Sequence, residues 1–319
     1  MTMDKKIIAV VGATGEEGGS LARAILADPQ GGFTVRALTR KPNSELARRL
    51  ARLGAEVVAA DVSDAKSLKA AFAGAHGAFC VTSYWEKPDP ERELAQARTM
   101  AHAAKEAGVA HVVWSTQEDT RRFIPPEDNR MPMLKKHYRV PQFDVKGASD
   151  AYFSGLDLPV TFVRGSFSWE NLLSFGLGGK RNADGTFDFV LPTEDRKLPG
   201  IATEDVGGCV YGLFQRGPEA WAGRTVGLAS EHVTGPEIAQ TLKQVLGQEV
   251  VFHTIEPEVY RTFNFPGAPE LANMFQFMRD FSSEYCGARD PGLTHELNPQ
   301  VQTLARWVER NKARFVRAA

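Results

Sequence analysis

The chain has few of the features that mark secreted, metal-binding or membrane proteins. Its 319 residues include three cysteines, Cys80, Cys209 and Cys286, which are too few and too widely spaced for a disulfide framework or a metal site. The seven histidines show no metal-ligand spacing either. No apolar run approaches the roughly 18 residues of a membrane span, and no signal peptide precedes the first strand-like run. We therefore expect a cytoplasmic protein with no metal and no membrane segment.

An excess of charge of one sign is also lacking. The 38 Lys and Arg residues nearly balance the 39 Asp and Glu residues, for a net charge of -1. No dense basic run appears, which argues against a nucleic-acid surface. Hydrophobic residues make up 43% of the chain, enough for a sizeable core in one large or two unequal domains.

The most informative feature that is present is a glycine-rich turn at residues 12–18, between the apolar run 7–11 and a helix-like pattern. One glycine allows the tight turn, the second lets a pyrophosphate approach the backbone, and the third lets the helix pack closely on the strand. The free N–H groups at the helix N-terminus favour an anion. The pattern predicts a dinucleotide site that includes Gly12, Thr14, Gly15, Glu17 and Gly18.

The ends of the second and third strand-like runs refine this prediction. The run 33–38 ends in Thr39-Arg40-Lys41, where an NAD site would carry an acidic residue for the ribose hydroxyls. Cations at Arg40 and Lys41 suit a 2′-phosphate instead, although two solvated basic residues are the alternative. The run 56–60 ends in Asp61-Val62, which could meet the adenine, and Ser63 or Asp64 is expected to cap the next helix.

Strands and helices alternate through the first half of the chain. Further strand-like runs cover residues 78–81 and 111–114, separated by a helical pattern near 91–107. This order predicts an α/β fold with a doubly wound parallel sheet, whose ligands bind at the carboxyl ends of the strands. The tips at Thr82-Ser83-Tyr84 and at Ser115-Thr116-Gln117 are therefore expected to face the nicotinamide half of a cofactor.

The patterns in the second half of the chain predict a smaller, mixed α+β region. We place an NADP-binding Rossmann domain at residues 1–158, with its sheet completed by strands near 159–165 and 225–229, and a C-terminal substrate or partner domain at 159–319. The proline-punctuated stretch 117–141 is predicted to be a lid or a partner-binding segment. Residues 182–185 are predicted to form a turn, and Thr234 is predicted to cap a helix that Gly247 ends.

Several longer strings resemble the NmrA-like family, an atypical branch of the short-chain dehydrogenase/reductase superfamily, and within it the HSCARG-type NADPH sensors. The resemblance runs nearly end to end. Its most specific strings are Thr82-Ser83-Tyr84-Trp85-Glu86, Phe143-Asp144-Val145-Lys146-Gly147, Glu170-Asn171-Leu172-Leu173-Ser174-Phe175, Phe265-Pro266-Gly267-Ala268 and Leu271-Ala272-Asn273-Met274-Phe275.

The resemblance implies a set of NADP(H) contacts beyond the glycine turn. They fall on Arg40, Asp61, Val62, Thr82, Ser83, Tyr84, Lys146, Ser166, Phe167, Ser168 and Trp169. The chain departs from its relatives at Asn43 and Ser44, where they are more basic, and at Ala95, where a lysine that reaches the cofactor is expected. The changes at Asn43 and Ser44 leave fewer cations around a 2′-phosphate.

The catalytic motif of the superfamily is incomplete. Its enzymes use Tyr-x-x-x-Lys with a serine near the fifth strand, and Lys146 and Ser115 could fill two of these places. Gln142 stands where the tyrosine belongs, and an amide cannot donate the proton. Tyr138 is eight residues before Lys146, and Pro141 is expected to break the helix between them. If the chain is an enzyme, Lys146 as a lone base, Ser115 and Tyr84 are the candidate residues.

We therefore expect an NADP(H)-binding regulatory protein, a redox sensor with little or no dehydrogenase turnover, whose partners are the nicotinamide dinucleotide and a regulatory protein. The alternative is an NAD(P)H-dependent reductase of a quinone or a small carbonyl compound. A third hypothesis makes the cofactor a purely structural ligand of a scaffold. Whether the chain forms a homodimer is left open.

Overall fold

The computed structural model of the protein describes residues 5–173, 180–182 and 186–318. Residues 183–185 of the predicted turn, and the Ser174-Phe175 end of one family-like string, lie outside the described residues. The chain divides into two compact units. The first unit comprises Met1–Asp119, Val145–Arg164 and Thr203–Val226, and the second comprises Thr120–Asp144, Gly165–Ala202 and Gly227–Ala319.

The described strands and helices, numbered along the chain, have the following bounds. The strands are β1 Lys6–Val10, β2 Phe33–Thr39, β3 Glu56–Ala59, β4 Gly77–Cys80, β5 His111–Thr116, β6 Val160–Arg164, β7 Phe167–Ser168, β8 Lys180–Arg181, β9 Phe187–Leu191, β10 Leu198–Ile201, β11 Thr225–Gly227, β12 Glu231–Val233 and β13 Val250–Thr254. The helices are α1 Glu16–Leu26, α2 Glu45–Arg52, α3 Ala65–Phe72, α4 Pro90–Glu106, α5 Pro141–Ser154, α6 Thr203–Arg216, α7 Pro218–Trp221, α8 Gly235–Leu246, α9 Pro257–Tyr260, α10 Ala268–Asp280, α11 Ser282–Gly287, α12 Pro291–Leu297 and α13 Leu304–Ala318.

The first unit is built on a seven-stranded sheet in the order β11-β6-β5-β4-β1-β2-β3. The neighbouring strands β3 and β2, β2 and β1, β1 and β4, β4 and β5, and β5 and β6 all pair in parallel. In β1, Val10 lies opposite Ala37 of β2 and opposite Phe79 of β4. The chain winds outward from β1 to β3 and then returns to β4 on the other side of β1. This reversal confirms the predicted doubly wound fold, and it creates the crevice at which such sheets bind their ligands.

Glycines let the helices of the first unit pack closely. A Cβ on Gly18 in α1 would lie 2.4 Å from the Val11 carbonyl oxygen, so only glycine fits there. A Cβ on Gly207 in α6 would lie 2.2 Å from the backbone of Ser20. Helix α6 packs directly on α1, so residues 203–226 belong to the first unit. The sequence instead predicts that residues 159–319 form the second domain, apart from the two strands near 159–165 and 225–229 that complete the first sheet.

The second unit contains two three-stranded sheets, ordered β12-β10-β7 and β13-β9-β8, with helices around one large apolar cluster. It is the mixed α+β region that the sequence predicts. In α8, Thr234 and Glu237 form a capping box, and Gly247 ends the helix with a φ of 69°, as expected. In the first unit, Asp64 caps α3, as also expected.

Residues 120–141 of the proline-punctuated stretch are a packed part of the second unit. Ile124 and Met131 are buried in its apolar cluster. From α10, the Asn273 side chain donates to the carbonyl oxygens of Pro132, at 2.9 Å, and Arg139, at 2.6 Å. These bonds give the stretch a fixed course within the unit.

Pro141 corrects one expectation about the neighbouring helix. It does not break α5; it is the first residue of α5. Proline is well tolerated in the first turn, because the N–H it lacks would have no partner within the helix there. Tyr138 still precedes the helix, so it cannot serve as the tyrosine of a Tyr-x-x-x-Lys motif on it.

No helix among the described residues is long and apolar enough to cross a membrane.

Candidate functional site

A cleft of about 470 Å³ opens at the carboxyl ends of β1, β2 and β4 in the first unit. The glycine turn, the end of β2 and the start of α4 form its walls. It is lined by Val11, Gly12, Thr14, Gly15, Leu38, Thr39, Arg40, Lys41, Ser44, Leu46, Ala60, Val62, Leu68, Val81, Thr82, Ser83, Glu86, Arg92 and Gln96.

The glycine turn is tied to the second strand and opens toward the cleft. Gly12 has a φ of 64°, which glycine adopts without strain, and its carbonyl oxygen accepts from the Gly15 amide at 2.8 Å. The Thr14 and Thr39 hydroxyls lie 3.1 Å apart. Gly15, which has no side chain, occupies the N-cap of α1. No side chain caps the first turn of α1, and a pyrophosphate bound by the amides of this turn stays a prediction.

Cations line the opposite wall, where a 2′-phosphate is predicted. The Arg40 guanidinium donates to Glu86, which also lies 3.5 Å from the Arg92 guanidinium. The hydrogen bond with Arg40 lowers the pKa of the Glu86 carboxyl, and the same bond raises the pKa of Arg40. Lys41 lines the cleft beside Arg40.

The predicted adenine contacts have different positions. Val62 lines the cleft, whereas Asp61 does not. The Asp61 carboxylate accepts from the amide of Ser63 at 2.8 Å and so shapes the turn before α3.

A buried charge cluster lies at the ends of β4 and β5. The Lys146 Nζ donates to the Thr82 hydroxyl and carbonyl oxygens, both at 3.2 Å, and to the Ser115 carbonyl oxygen at 3.3 Å. Glu93, which is 3% exposed, accepts from the Thr82 hydroxyl and lies 3.8 Å from the same ammonium. Its other oxygen, Oε2, has no partner among the described residues. Burial raises the pKa of Glu93, and Lys146, the Thr82 hydroxyl and Arg92 oppose that rise.

The other catalytic candidates are held by the protein itself. The Ser115 hydroxyl donates to Glu17 at 2.7 Å, so the glycine turn and β5 are joined directly. Tyr84 is buried and meets Trp85 edge to face, with ring centroids 5.5 Å apart. Gln142 belongs to the second unit, where its amide donates to the Glu270 carbonyl oxygen at 3.1 Å.

The remaining predicted contacts also lie in the second unit. Phe167 and Trp169 are core residues there, with centroids 6.1 Å apart. The Ser166 hydroxyl donates to the Leu228 carbonyl oxygen, and the Ser168 hydroxyl donates to a neighbouring carboxylate. The packing assigns the two aromatic side chains to the core, and a cofactor contact by this segment stays a prediction.

Sequence reasoning missed the contribution of α4. Arg92 and Gln96 are one helical turn apart and line the cleft together, and Glu86 precedes them. The family resemblance implies a lysine where this chain has Ala95, which is exposed, whereas Arg92 supplies a cation from the preceding turn. Two polar residues on the buried face of α4, Glu93 and Gln96, were the available signal, since such residues need partners.

The described residues contain no group of three or more His, Cys, Asp or Glu side chains that could hold a metal ion. None of the three cysteines forms a disulfide bond; Cys80 and Cys209 are buried and Cys286 is half-buried. Burial raises the pKa of the Cys80 thiol, which keeps it protonated.

These observations define a Rossmann-like α/β protein with a cleft at the topological switch point. Within that class, the model of the NmrA-like family matches residues 4–308, so the chain belongs to the NmrA-like family. It is 31% identical over 293 residues to the NmrA-like family domain-containing oxidoreductase FrzB of Cladobotryum sp, with 88% of this chain and 85% of FrzB covered.

Solved structures of Nmra, a negative transcriptional regulator, share the fold. A monoclinic crystal form is 25% identical, with a TM-score of 0.79 over 96% of this chain and 95% of the other. Structures of Nmra in complex with NAD and with NADP are each 23% identical, with TM-scores of 0.78 over the same shares.

Proposed function

We propose that the chain binds NADP(H) in the cleft of its first unit and acts as a regulatory protein that responds to the cofactor, with little or no dehydrogenase turnover. The observation that carries this proposal is the contrast between the two halves of the site. The cofactor half is open and basic, whereas the groups expected to do chemistry are engaged inside the protein.

The open half suits a phosphorylated dinucleotide. The uncapped first turn of α1 offers amides to a pyrophosphate. Arg40, Lys41 and Arg92 then supply three cations on the facing wall, where an NAD site would carry an acid for the ribose. The Nmra structures with NAD and with NADP support a nicotinamide dinucleotide as the ligand of this fold.

The engaged half argues against fast hydride transfer to a carbonyl. Lys146 gives its hydrogen bonds to Thr82 and Ser115 and is paired with Glu93. The Ser115 hydroxyl is bound to Glu17. Gln142 stands where the proton-donating tyrosine belongs, and general acid catalysis typically supplies about 10²–10⁴-fold of the rate.

The second candidate is an NAD(P)H-dependent reductase of a quinone or a small carbonyl compound. The family names of the relatives favour it, since FrzB is an oxidoreductase by name. A quinone can accept a hydride without the missing proton donor, and Lys146 could assist a carbonyl substrate.

NADPH oxidation by the purified protein, followed with a panel of quinones and carbonyl compounds, separates the two candidates. We expect turnover far below the enzyme median of about 10 s⁻¹ with every compound. Turnover near that value would establish the reductase and contradict the regulatory proposal. A regulatory role further requires that NADPH and NADP⁺ differ in their effect on partner binding, because a ligand shifts an equilibrium only by its differential affinity.

A further inference from the structure

The side chains of Arg40, Glu86 and Arg92 form a row of opposite charges along the basic wall of the cleft. Arg40 follows β2, Glu86 ends the short 3₁₀ turn Tyr84–Glu86 after β4, and Arg92 lies in the first turn of α4. One carboxylate oxygen of Glu86 accepts from Arg40, and the other lies 3.5 Å from Arg92. All three side chains line the same cleft.

We propose that Glu86 is an internal stand-in for the 2′-phosphate of the cofactor and thereby sets the preference between the phosphorylated and unphosphorylated forms. This inference rests on the proposed function. When the cofactor binds, its 2′-phosphate displaces the Glu86 carboxylate and is held by Arg40 and Arg92 together. Arg92 is therefore the second phosphate-binding cation of the site.

The charges support the exchange. Glu86 neutralises one of the two guanidinium groups, so the three side chains carry a net charge of +1. When the carboxylate leaves, the two cations match a phosphate monoester of about −1.5 to −2 charge. A phosphate also offers three acceptor oxygens to two planar donor forks, whereas the carboxylate has only two.

The exposure of Glu86 makes the displacement feasible. Its side chain is 42% exposed, so it can turn into water and regain its hydration there. Exposed ion pairs are weak, so their loss opposes binding only modestly. The Glu86 carboxylate therefore holds the guanidinium groups of Arg40 and Arg92 in place before the cofactor binds, and it does not block the cofactor.

Arg92 differs in position from the lysine that the family resemblance implies on α4, where this chain has Ala95. Arg92 lines the cleft, whereas Ala95 is exposed on α4. The cation that α4 contributes to the cleft therefore lies one turn earlier than the lysine that the family resemblance implies.

Calorimetric titration of NADPH and NADH into the full chain and two pairs of variants tests the inference. Glu86→Gln is matched by Glu91→Gln, and Arg92→Gln is matched by Arg98→Gln, because both control side chains are exposed on α4 outside the cleft. We expect Glu86→Gln to tighten NADPH binding about two- to fivefold, the range of exposed ion pairs, and to leave NADH unchanged.

We expect Arg92→Gln to weaken NADPH binding about tenfold, with NADH again unchanged, and both controls to behave as wild type. The gain in Glu86→Gln should shrink at high salt, because the charges are exposed. An unchanged or lower ratio of NADPH to NADH affinity in Glu86→Gln overturns the inference while the proposed function stands. Wild-type protein that binds neither dinucleotide instead contradicts the proposed function, and the inference falls with it.

Discussion

The candidate site contains two kinds of charged side chain, those that can exchange their partner for a ligand and those that are held inside the protein. Arg40 is bound to an exposed carboxylate that water can replace, whereas Lys146 is bound to a buried one. The first arrangement can be exchanged for a phosphate at little cost, but breaking the second leaves an unpaired charge in the core. The two cations therefore respond differently to substitution.

Arg40→Ala should weaken NADPH binding about 10–100-fold and leave NADH binding nearly unchanged. A charge-assisted hydrogen bond of about 1.5–3 kcal/mol to the 2′-phosphate is lost, and NADH has no such group. Cofactor fluorescence titration measures both constants. Arg48→Ala, at an exposed position of α2 outside the cleft, is the matched control. Equal losses for the two cofactors would place the 2′-phosphate elsewhere.

Lys146→Met should destabilise the protein, and increasingly so as the pH rises. Burial holds the pKa of Glu93 above its ordinary value of 4.5, and Lys146 is the main opposing charge. Without Lys146 the folded protein keeps a proton on Glu93 that the unfolded chain releases above pH 4.5. The free energy of unfolding therefore falls with rising pH in that window.

We expect a loss of about 3 kcal/mol near pH 8 and a smaller one near pH 5, measured by urea unfolding. Lys105→Met, at an exposed position of α4, should show neither the loss nor its pH dependence. A loss in Lys146→Met that is the same at both pH values would mean that Glu93 is not the group that depends on Lys146.

Helix caps and close contacts between backbones position the helices and strands. The strands of the sheet, the cap of α3 by Asp64 and the capping box of α8 could be predicted from local patterns, because each depends on neighbours in sequence. The return of α6 to α1 and the fixed course of residues 117–141 could not, because they depend on distant partners such as Ser20 and Asn273.

Gly18→Ala should destabilise the first unit by about 1–3 kcal/mol and weaken dinucleotide binding. The new Cβ would lie 2.4 Å from the Val11 carbonyl oxygen, so α1 and the glycine turn would have to move. Gly32→Ala is the control in the same unit, because a Cβ there meets nothing within 4 Å. Thermal unfolding and cofactor titration of both variants are the measurements, and a Gly18→Ala protein as stable as Gly32→Ala would contradict the packing described.

Asn273→Ala should loosen the proline-punctuated stretch without affecting the sheet of the first unit. The substitution leaves the carbonyl oxygens of Pro132 and Arg139 without their donor, at a cost of about 1–3 kcal/mol. Hydrogen exchange should rise in residues 130–141 and stay unchanged in β1 to β5. Glu270→Ala, at a less buried position of the same helix, is the control. Unchanged exchange in residues 130–141 would show that other contacts hold the stretch.

The whole molecule combines a Rossmann-like fold with a candidate site that holds one exposed and one buried ion pair. The fold and the family could be predicted, because the sequence itself contains the glycine turn, the alternation of strand-like and helical patterns, and the strings that resemble the family. The contacts among Arg40, Glu86 and Arg92 could not be predicted, because Arg40 lies far from the other two residues in sequence. Only the pairing of strands in the folded sheet brings the end of β2, the turn after β4 and the start of α4 together. The same holds for the pairing of Lys146 with Glu93, which gives a lysine of a catalytic motif a structural partner.

The most direct test of the account is one calorimetric series in which NADPH, NADP⁺, NADH and NAD⁺ are titrated into the wild-type protein. We expect all four to bind with one site per chain, and the two phosphorylated forms to bind at least about tenfold more tightly, because only they carry a group for Arg40 and Arg92. Equal affinities for the phosphorylated and unphosphorylated forms, or no binding of any of the four, would contradict it.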